Sequence, residues 1–331
     1  LLAACFSAQA QIGGRLGYAF LQQVPSARAA ALGGVLPQNT EEDGGAMFYN
    51  PAGVASSGIV GVGYNPAKNR FRYSSLAGMQ NSWGGTAGAS LQYMDYGTFQ
   101  GYTPDGTYTG TYSANAYTLT TNYSKALGPF RFGANVKFAG ATIESYSQYG
   151  MGFDLGATYK HPKADFAAGF VLQNVGVSFK NMVAGQQRSW PTTLSAGVSY
   201  KFEHMPVRFY GTAQQLQQWD IVYLDPNYNV KTDANGQEVS QKKTFTDKLF
   251  RHVTIGAELL LGKNVRVMGG YSHLLRREMR IENASSGASG FSLGTFIKLK
   301  AYRLAYTHTF IATSAGNNYF TLGYVFGQKS E

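Results

Sequence analysis

Between Phe291 and Phe326 three successive runs alternate apolar residues with small or polar ones. Phe291, Leu293, Thr295, Ile297 and Leu299 share one parity, and Ser292, Gly294, Phe296, Lys298 and Lys300 the other. Tyr302, Leu304, Tyr306, His308 and Phe310 then oppose Arg303, Ala305, Thr307 and Thr309. In the last run Phe320, Leu322, Tyr324 and Phe326 oppose Tyr319, Thr321, Gly323 and Val325. Successive side chains of a strand point to opposite faces, so each run is a strand with one greasy and one small or polar face. Each is roughly ten residues long, nearly twice the usual globular strand and enough for a tilted strand to cross a bilayer. The pattern predicts an all-β chain whose greasy faces meet lipid, closed into an antiparallel transmembrane β-barrel.

The same reading gives fourteen candidate strands, near 57–65, 69–79, 84–96, 113–125, 129–142, 148–160, 164–174, 191–202, 205–218, 249–261, 264–275, 289–299, 301–311 and 317–327. An even number suits a single-chain bacterial barrel. Alternate connections are short: 80–83, 126–128, 161–163, 203–204, 262–263 and Lys300. Long ones, 97–112, 175–190, 219–248 and 276–288, fall between them, along with two short ones, 66–68 and 312–316. Outer-membrane barrels have short periplasmic turns and longer outside loops, so this parity supports the closed barrel over a soluble sandwich or propeller. No repeat near forty residues supports the propeller.

Composition agrees. The chain holds 41 Gly, 23 Tyr and 21 Phe, and only 14% of its residues are charged, against about 25% in soluble proteins. No apolar run reaches the roughly eighteen residues of a membrane helix, which leaves barrel strands untouched. The net charge of +10 favours anionic partners. Its basic residues are scattered rather than gathered in a patch, which argues against nucleic acid and for anionic lipid or lipopolysaccharide.

Residues 1–10, LLAACFSAQA, read as the residue of a signal peptide cut after Ala8-Gln9-Ala10, although Leu2-Ala3-Ala4-Cys5 also fits a lipobox. Cys5 is the only cysteine, so no disulfide is expected. Residues 11–56 do not alternate; the expectation is a compact N-terminal plug inside a barrel spanning 57–327. Its motif residues are Ser26, Arg28, Gly33, Gly34, Asn50 and Pro51, with the glycines and the Asn-Pro step supplying tight bends.

Chemistry-bearing motifs are sparse. The five histidines sit in separate turns or strands, with no HExxH and no nucleophile elbow, so no enzyme, cofactor or metal site is expected. Asp225-Pro226-Asn227-Tyr228-Asn229 lacks the glycine and glutamate of a calcium loop and reads as an Asx-rich turn region. Arg131, Lys137, Asp154, Lys160, Lys201, Arg208, Glu258, Arg266, Lys298 and Arg303 fall on the inward parity. A charge facing lipid near midplane costs about 2–4 kcal/mol, so these should point into a plug-filled lumen, with Glu41, Glu42 and Asp43 as partners. In the outer loops, Arg276, Arg277 and Arg280, with Lys242 and Lys243, are the candidate contacts for an anion or a partner.

Gln11-Ile12-Gly13-Gly14-Arg15, Phe20-Leu21, Ser26-Ala27-Arg28, Leu32-Gly33-Gly34, Asn50-Pro51-Ala52, Gln92-Tyr93-Met94-Asp95-Tyr96-Gly97, Ile143-Glu144-Ser145-Tyr146 and Trp219-Asp220-Ile221 together give a resemblance along most of the chain. The sequence resembles the PorQ-like outer-membrane proteins of the type IX secretion system, within the wider FadL-like and PorV-related barrels. That resemblance implies a fourteen-stranded barrel with an N-terminal hatch, in the outer membrane of a Bacteroidetes-type Gram-negative bacterium. It further implies a non-enzymatic anchor for a PorZ-like surface protein. Through that partner the barrel would serve a PorU/PorV-like attachment complex, which processes cargo and links it to anionic lipopolysaccharide. The alternative is a FadL-like transporter of hydrophobic compounds. A diffusion porin, which needs an unplugged lumen, ranks third.

Overall fold

The computed structural model describes residues 17–39, 43, 45–53, 59–66, 72–183, 189–222, 230–232, 238–240, 244–279, 287–312 and 315–326. The strands are β1 (Ile59–Pro66), β2 (Arg72–Ser82), β3 (Gly85–Tyr102), β4 (Tyr108–Leu127), β5 (Phe130–Ile143), β6 (Tyr146–Lys160), β7 (Phe166–Lys180), β8 (Thr193–Lys201) and β9 (Val207–Ala213). A small hairpin of β10 (Val230–Thr232) and β11 (Glu238–Ser240) interrupts the series. It resumes with β12 (Val253–Leu261), β13 (Val265–Ser272), β14 (Phe291–Leu299), β15 (Tyr302–Ala312) and β16 (Ala315–Val325). The fourteen strands other than β10 and β11 form one closed antiparallel barrel, with each strand beside its sequence neighbour. It is shut by β1 against β16, from Ile59↔Val325 to Tyr64↔Phe320. Closure removes the unpaired edge that a membrane-spanning sheet has no water to satisfy.

The alternation sorts as the hydrophobic pattern requires. Leu119, Val136, Phe153, Val198, Ile255, Leu293 and Leu322 are exposed on the outer face. Thr120, Asn135, Asp154, Ser199, Glu258, Ser292 and Thr307 are buried on the inner one. Bulky residues also occur on the inner face, among them Tyr73, Tyr210, Met268, Tyr319 and Phe296, all buried, the last with the Arg266 guanidinium over its ring at 5.2 Å. At the short-turn end, Trp83 and Gly84 both have positive φ, 49° and 70°, the geometry that matches a two-residue hairpin to strand twist.

The wall is uneven in height. β3 and β4 run for 18 and 20 residues, whereas β9 has 7 and β13 has 8. Much of 97–112, read from sequence as a loop, is strand, and the connection shrinks to a turn fastened by Thr103, Asp105 and Thr107. The expected strand at 249–261 begins only at Val253, because α3 (Phe245–His252) precedes it. The strand expected over 264–275 stops at Ser272, where α4 (His273–Glu278) begins. β9 likewise ends at Ala213, short of the expected 218. The physical reason is local capping. Thr244 accepts a hydrogen bond from Asp247 N at 3.3 Å and Ser272 accepts one from Leu275 N at 3.4 Å, each satisfying an amide that a helix start leaves open.

Candidate functional site

The described N-terminal residues lie against the inner wall. Ser26 caps α1 (Ala27–Ala31) by accepting from Ala29 N at 3.2 Å, and all five residues of the helix are buried. Four of them are alanines, so the helix backbone comes within reach of the wall hydroxyls. Ala27 N donates to Thr321 Oγ1 at 2.9 Å, while Thr307 Oγ1 and Ser292 Oγ donate to Ala27 O and Ala31 O at 2.6 and 2.8 Å. Gly33 and Gly34, at φ 100° and 109°, end the helix, with Gly34 N bonded back to Ala29 O at 2.7 Å. Helix α2 (Ala46–Tyr49) leads into Asn50-Pro51. Asn50 Nδ2 donates to Pro37 O at 2.5 Å, with the wall carbonyls of Ala157 and Phe170 at 3.3 and 3.4 Å.

Two polar clusters hold this segment. In the first, Asn122 Nδ2 donates to Asn135 Oδ1 at 2.7 Å, and Asn135 Nδ2 lies 2.8 Å from Asp154 Oδ2 and 2.9 Å from Met47 O. Lys137 Nζ pairs with Asp154 at 2.8 Å and also donates to Asn174 Oδ1 at 2.8 Å. Asp154 sits at a β6–β7 register shift, where its other oxygen accepts from Asn174 N at 2.8 Å. In the second cluster Arg28 reaches Asn39 Oδ1 at 2.6 Å, Tyr210 Oη at 3.0 Å and Glu258 Oε2 at 3.4 Å. Glu258, wholly buried, also accepts from Tyr210 at 2.8 Å and faces Arg266 at 3.4 Å and Arg208 at 3.8 Å. Asp165 takes both of its oxygens to Arg208 Nη2, at 2.9 and 2.8 Å.

The expected partnership of wall cations with plug carboxylates therefore has a different form. In the second cluster the plug supplies the cation and the wall the anion. Asp43 is satisfied within the plug, by Tyr49, Ser26 and Gly45 N. Glu41 and Glu42 lie outside the described residues. Sequence reasoning placed Arg28 in the plug and Glu258 on the wall, but no spacing rule joins positions 230 residues apart.

Towards the long-loop end, a cavity of about 320 Å³ lies between plug, wall and α4. Leu21, Val24, Phe48, Leu274 and Leu275 make its apolar side, and Gln23, Gln173, Asn174, Gln214 and Gln215 its polar side. Among the described lining residues the one ionisable acid is Glu278, and none is a cation. At the short-turn end, the space beside Gln38, Asn39, Lys160 and Asp165 amounts to about 10 Å³, room for about one water. Among the described residues no group of His, Cys, Asp and Glu could hold a metal ion.

Of the outer-loop cations singled out from sequence, Arg276 and Arg277 both lie on α4, and each has a partner. Arg276 closes its own loop onto the carbonyls of Gly287 and Ser289 at 3.3 and 3.1 Å. Arg277 bonds Asp247 of α3 at 2.8 Å, where Arg251 also binds, at 2.9 Å. Arg280, Lys242 and Lys243 lie outside the described residues, as does the 225–229 turn.

The α3–α4 clip should respond to pH. Burial holds His273 below its ordinary value of 6.5; Asp247, 3.6 Å away, opposes this, and the charges of Arg277 and Arg251 reinforce it. Burial would raise Asp247, but bonds and charge from Arg251 and Arg277 outweigh it and hold the carboxyl below its ordinary 3.8. Both depressed values mean stability present at neutral pH and lost as pH falls through each folded value. Acidification should loosen the clip in two steps, His273 first and Asp247 later. Amide exchange over 244–252 and 273–279, corrected for intrinsic rates, should rise between pH 7 and 5 and change little above pH 7.

No family model matches the sequence, and no curated protein does either. Solved structures do. The toluene transporter TodX of Pseudomonas putida superposes with TM-score 0.54 at 12% identity, over 91% of this chain and 98% of that one. A TodX mutant described as a monoaromatic hydrocarbon channel gives 0.52 at 14% identity, over 91% and 97%. The fold is that of TodX, a closed fourteen-stranded antiparallel β-barrel. A Pseudomonas aeruginosa FadL homologue aligns at TM-score 0.48 and 12% identity, over 92% and 98% of the two chains.

Proposed function

We propose that this chain moves small, neutral hydrophobic molecules across the outer membrane, taking them from outside into the cavity between plug and α4. The observation that carries this reading is the cavity itself. Its volume of about 320 Å³ falls at the lower end of small-molecule pockets, roughly 300–1,000 Å³. Its apolar side, Leu21, Val24, Phe48, Leu274 and Leu275, gives affinity without direction, and the amides opposite offer donors and acceptors to a neutral polar end. A fatty-acid carboxylate would find Glu278 and no cation among the described lining residues. The shared fold with a hydrocarbon channel supports the same reading. Onward passage requires the plug to shift, because the inner end is packed around Arg28 and Glu258.

The test is binding of the neutral fluorophore N-phenyl-1-naphthylamine to the purified barrel. Saturable 1:1 binding is expected, displaced by naphthalene and not by laurate at the same concentration. Val24→Trp, which fills the cavity, should remove the saturable phase while leaving the folded band on an unheated gel. Non-saturable partitioning alone, or displacement by laurate, would end the transporter reading.

A second reading has its own support: the tightly packed inner end suits a barrel that anchors a partner and conducts nothing. Combined with the sequence resemblance, it is the attachment-complex role, with a PorZ-like surface protein held at the outer loops near lipopolysaccharide. A pull-down from solubilised outer membrane should then recover that partner, and deletion of 222–245 should reduce its recovery.

A further inference from the structure

Helix α3 has its apolar face outward. Phe245, Leu249 and Phe250 are exposed, at 66, 38 and 54%, while Arg251 and His252 are buried beneath. His252 pins the helix to the segment after β9: its ring nitrogens lie 2.8 Å from Gln214 O and 3.1 Å from Trp219 O. Its ring stacks on Trp219 at 5.5 Å, and the indole, itself half exposed, lies 5.5 Å from Phe245. On a water-soluble surface helix the apolar stripe faces the core. Here it faces away, although ion pairs to Asp247 fix the polar side inward.

The position of α3 explains the inversion. The helix runs directly into β12, whose Ile255 and Leu259 belong to the lipid-facing column. Beside it β9 has 7 residues and β12 has 9. At about 3.3 Å per residue and a tilt near 40°, such strands rise roughly 18–23 Å, short of the ~25 Å apolar band of an outer-membrane barrel. Across the barrel β2, β3 and β4, with 11, 18 and 20 residues, have no such deficit. We infer that α3 lies in the outer leaflet, with Phe245, Leu249, Phe250 and Trp219 among lipid acyl chains, completing the membrane-facing band where β9 and β12 stop short. The occupant is lipid because the patch continues the lipid-facing wall, residue by residue, from Ile255. Short strands are thereby compatible with full immersion, and the cavity behind α4 is screened from lipid on this side by helix rather than sheet.

The experiment places single nitroxide labels at positions 245, 250, 255 and 105 of the full chain, with Cys5→Ser, in phosphatidylcholine nanodiscs. Ile255 reports lipid and Asp105, in the turn after β3, reports water. Labels at 245 and 250 should follow 255, with collision dominated by oxygen rather than by a water-soluble nickel chelate. Dominance by nickel overturns the inference, and so does low collision with both, which would mean a protein partner or second copy covers the face. Should labelling disturb folding, Trp83→Phe leaves Trp219 as the exposed indole. Acyl-brominated lipid should then remove much of its emission and aqueous iodide little; the reverse pattern overturns the inference.

Discussion

Replacing Glu258 by Gln should destabilise the folded barrel by about 3–5 kcal/mol, the range for removing one partner of a buried ion pair. The carboxylate is wholly buried and serves Arg28, Arg266 and Arg208 together. With a neutral amide in its place, guanidiniums from the plug and two wall strands share one low-dielectric space without their common anion. Arg208 keeps Asp165, while Arg28 and Arg266 lose the Glu258 carboxylate. Arg28→Met should cost less, about 1–3 kcal/mol, because Glu258 then retains Arg266, Arg208 and the Tyr210 hydroxyl. The ordering is the diagnostic: Glu258→Gln below Arg28→Met in midpoint of the heat-induced mobility shift. Equal midpoints would mean that the network does not share its anion as drawn.

Gly169→Val should displace the plug. A Cβ at this inward position of β7 would lie 2.0 Å from Pro37 O, 2.3 Å from its carbonyl carbon and 2.6 Å from Gln38 N. These are backbone atoms, so no rotamer change relieves the clash; wall or plug must move. Overpacking of this kind costs about 1–3 kcal/mol even where neighbours adapt. Adaptation here means lifting the 36–39 turn from the wall and opening the inner end of the lumen. The expected result is a folded barrel with raised ion conductance in planar bilayers. Gly211→Ala is the control: its nearest neighbour would be Val198 Cγ2 at 3.8 Å, an ordinary contact, and its conductance should match the parent's.

That contrast shows what was legible in the sequence. A period-two pattern announces strands and their sidedness directly, because lipid and lumen impose opposite demands on alternate residues. The pattern fails where those demands stop. Above the membrane both faces of β3 and β4 meet water, so Phe99, Tyr102 and Tyr108 are exposed without an inside or outside to mark, and the hairpin read as a loop. At α3 the expected strand over 249–261 takes in the last turn of the helix, Leu249 to His252; the cap at Thr244-Phe245-Thr246-Asp247 is the signal that marks the helix. Small inward residues leave room for the N-terminal segment: Gly133, Gly156 and Gly169 face Pro51, Asn50 and Pro37. Which glycine meets which plug residue is a matter of tertiary register, absent from any local pattern. The cavity was illegible for the same reason: Leu21, Phe48, Gln173, Gln214 and Leu274 come from five separate segments.

The claim beneath both readings of function is that residues 27–39 and 45–53 sit inside the closed wall as part of the folded unit. Amide hydrogen exchange of the whole chain in nanodiscs measures this directly. The account predicts that peptides covering 27–39 and 45–53 exchange on the slow timescale of β5, β6 and β12, and that Glu258→Gln speeds the former selectively. Complete exchange of those peptides within seconds, beside a protected barrel, would contradict it.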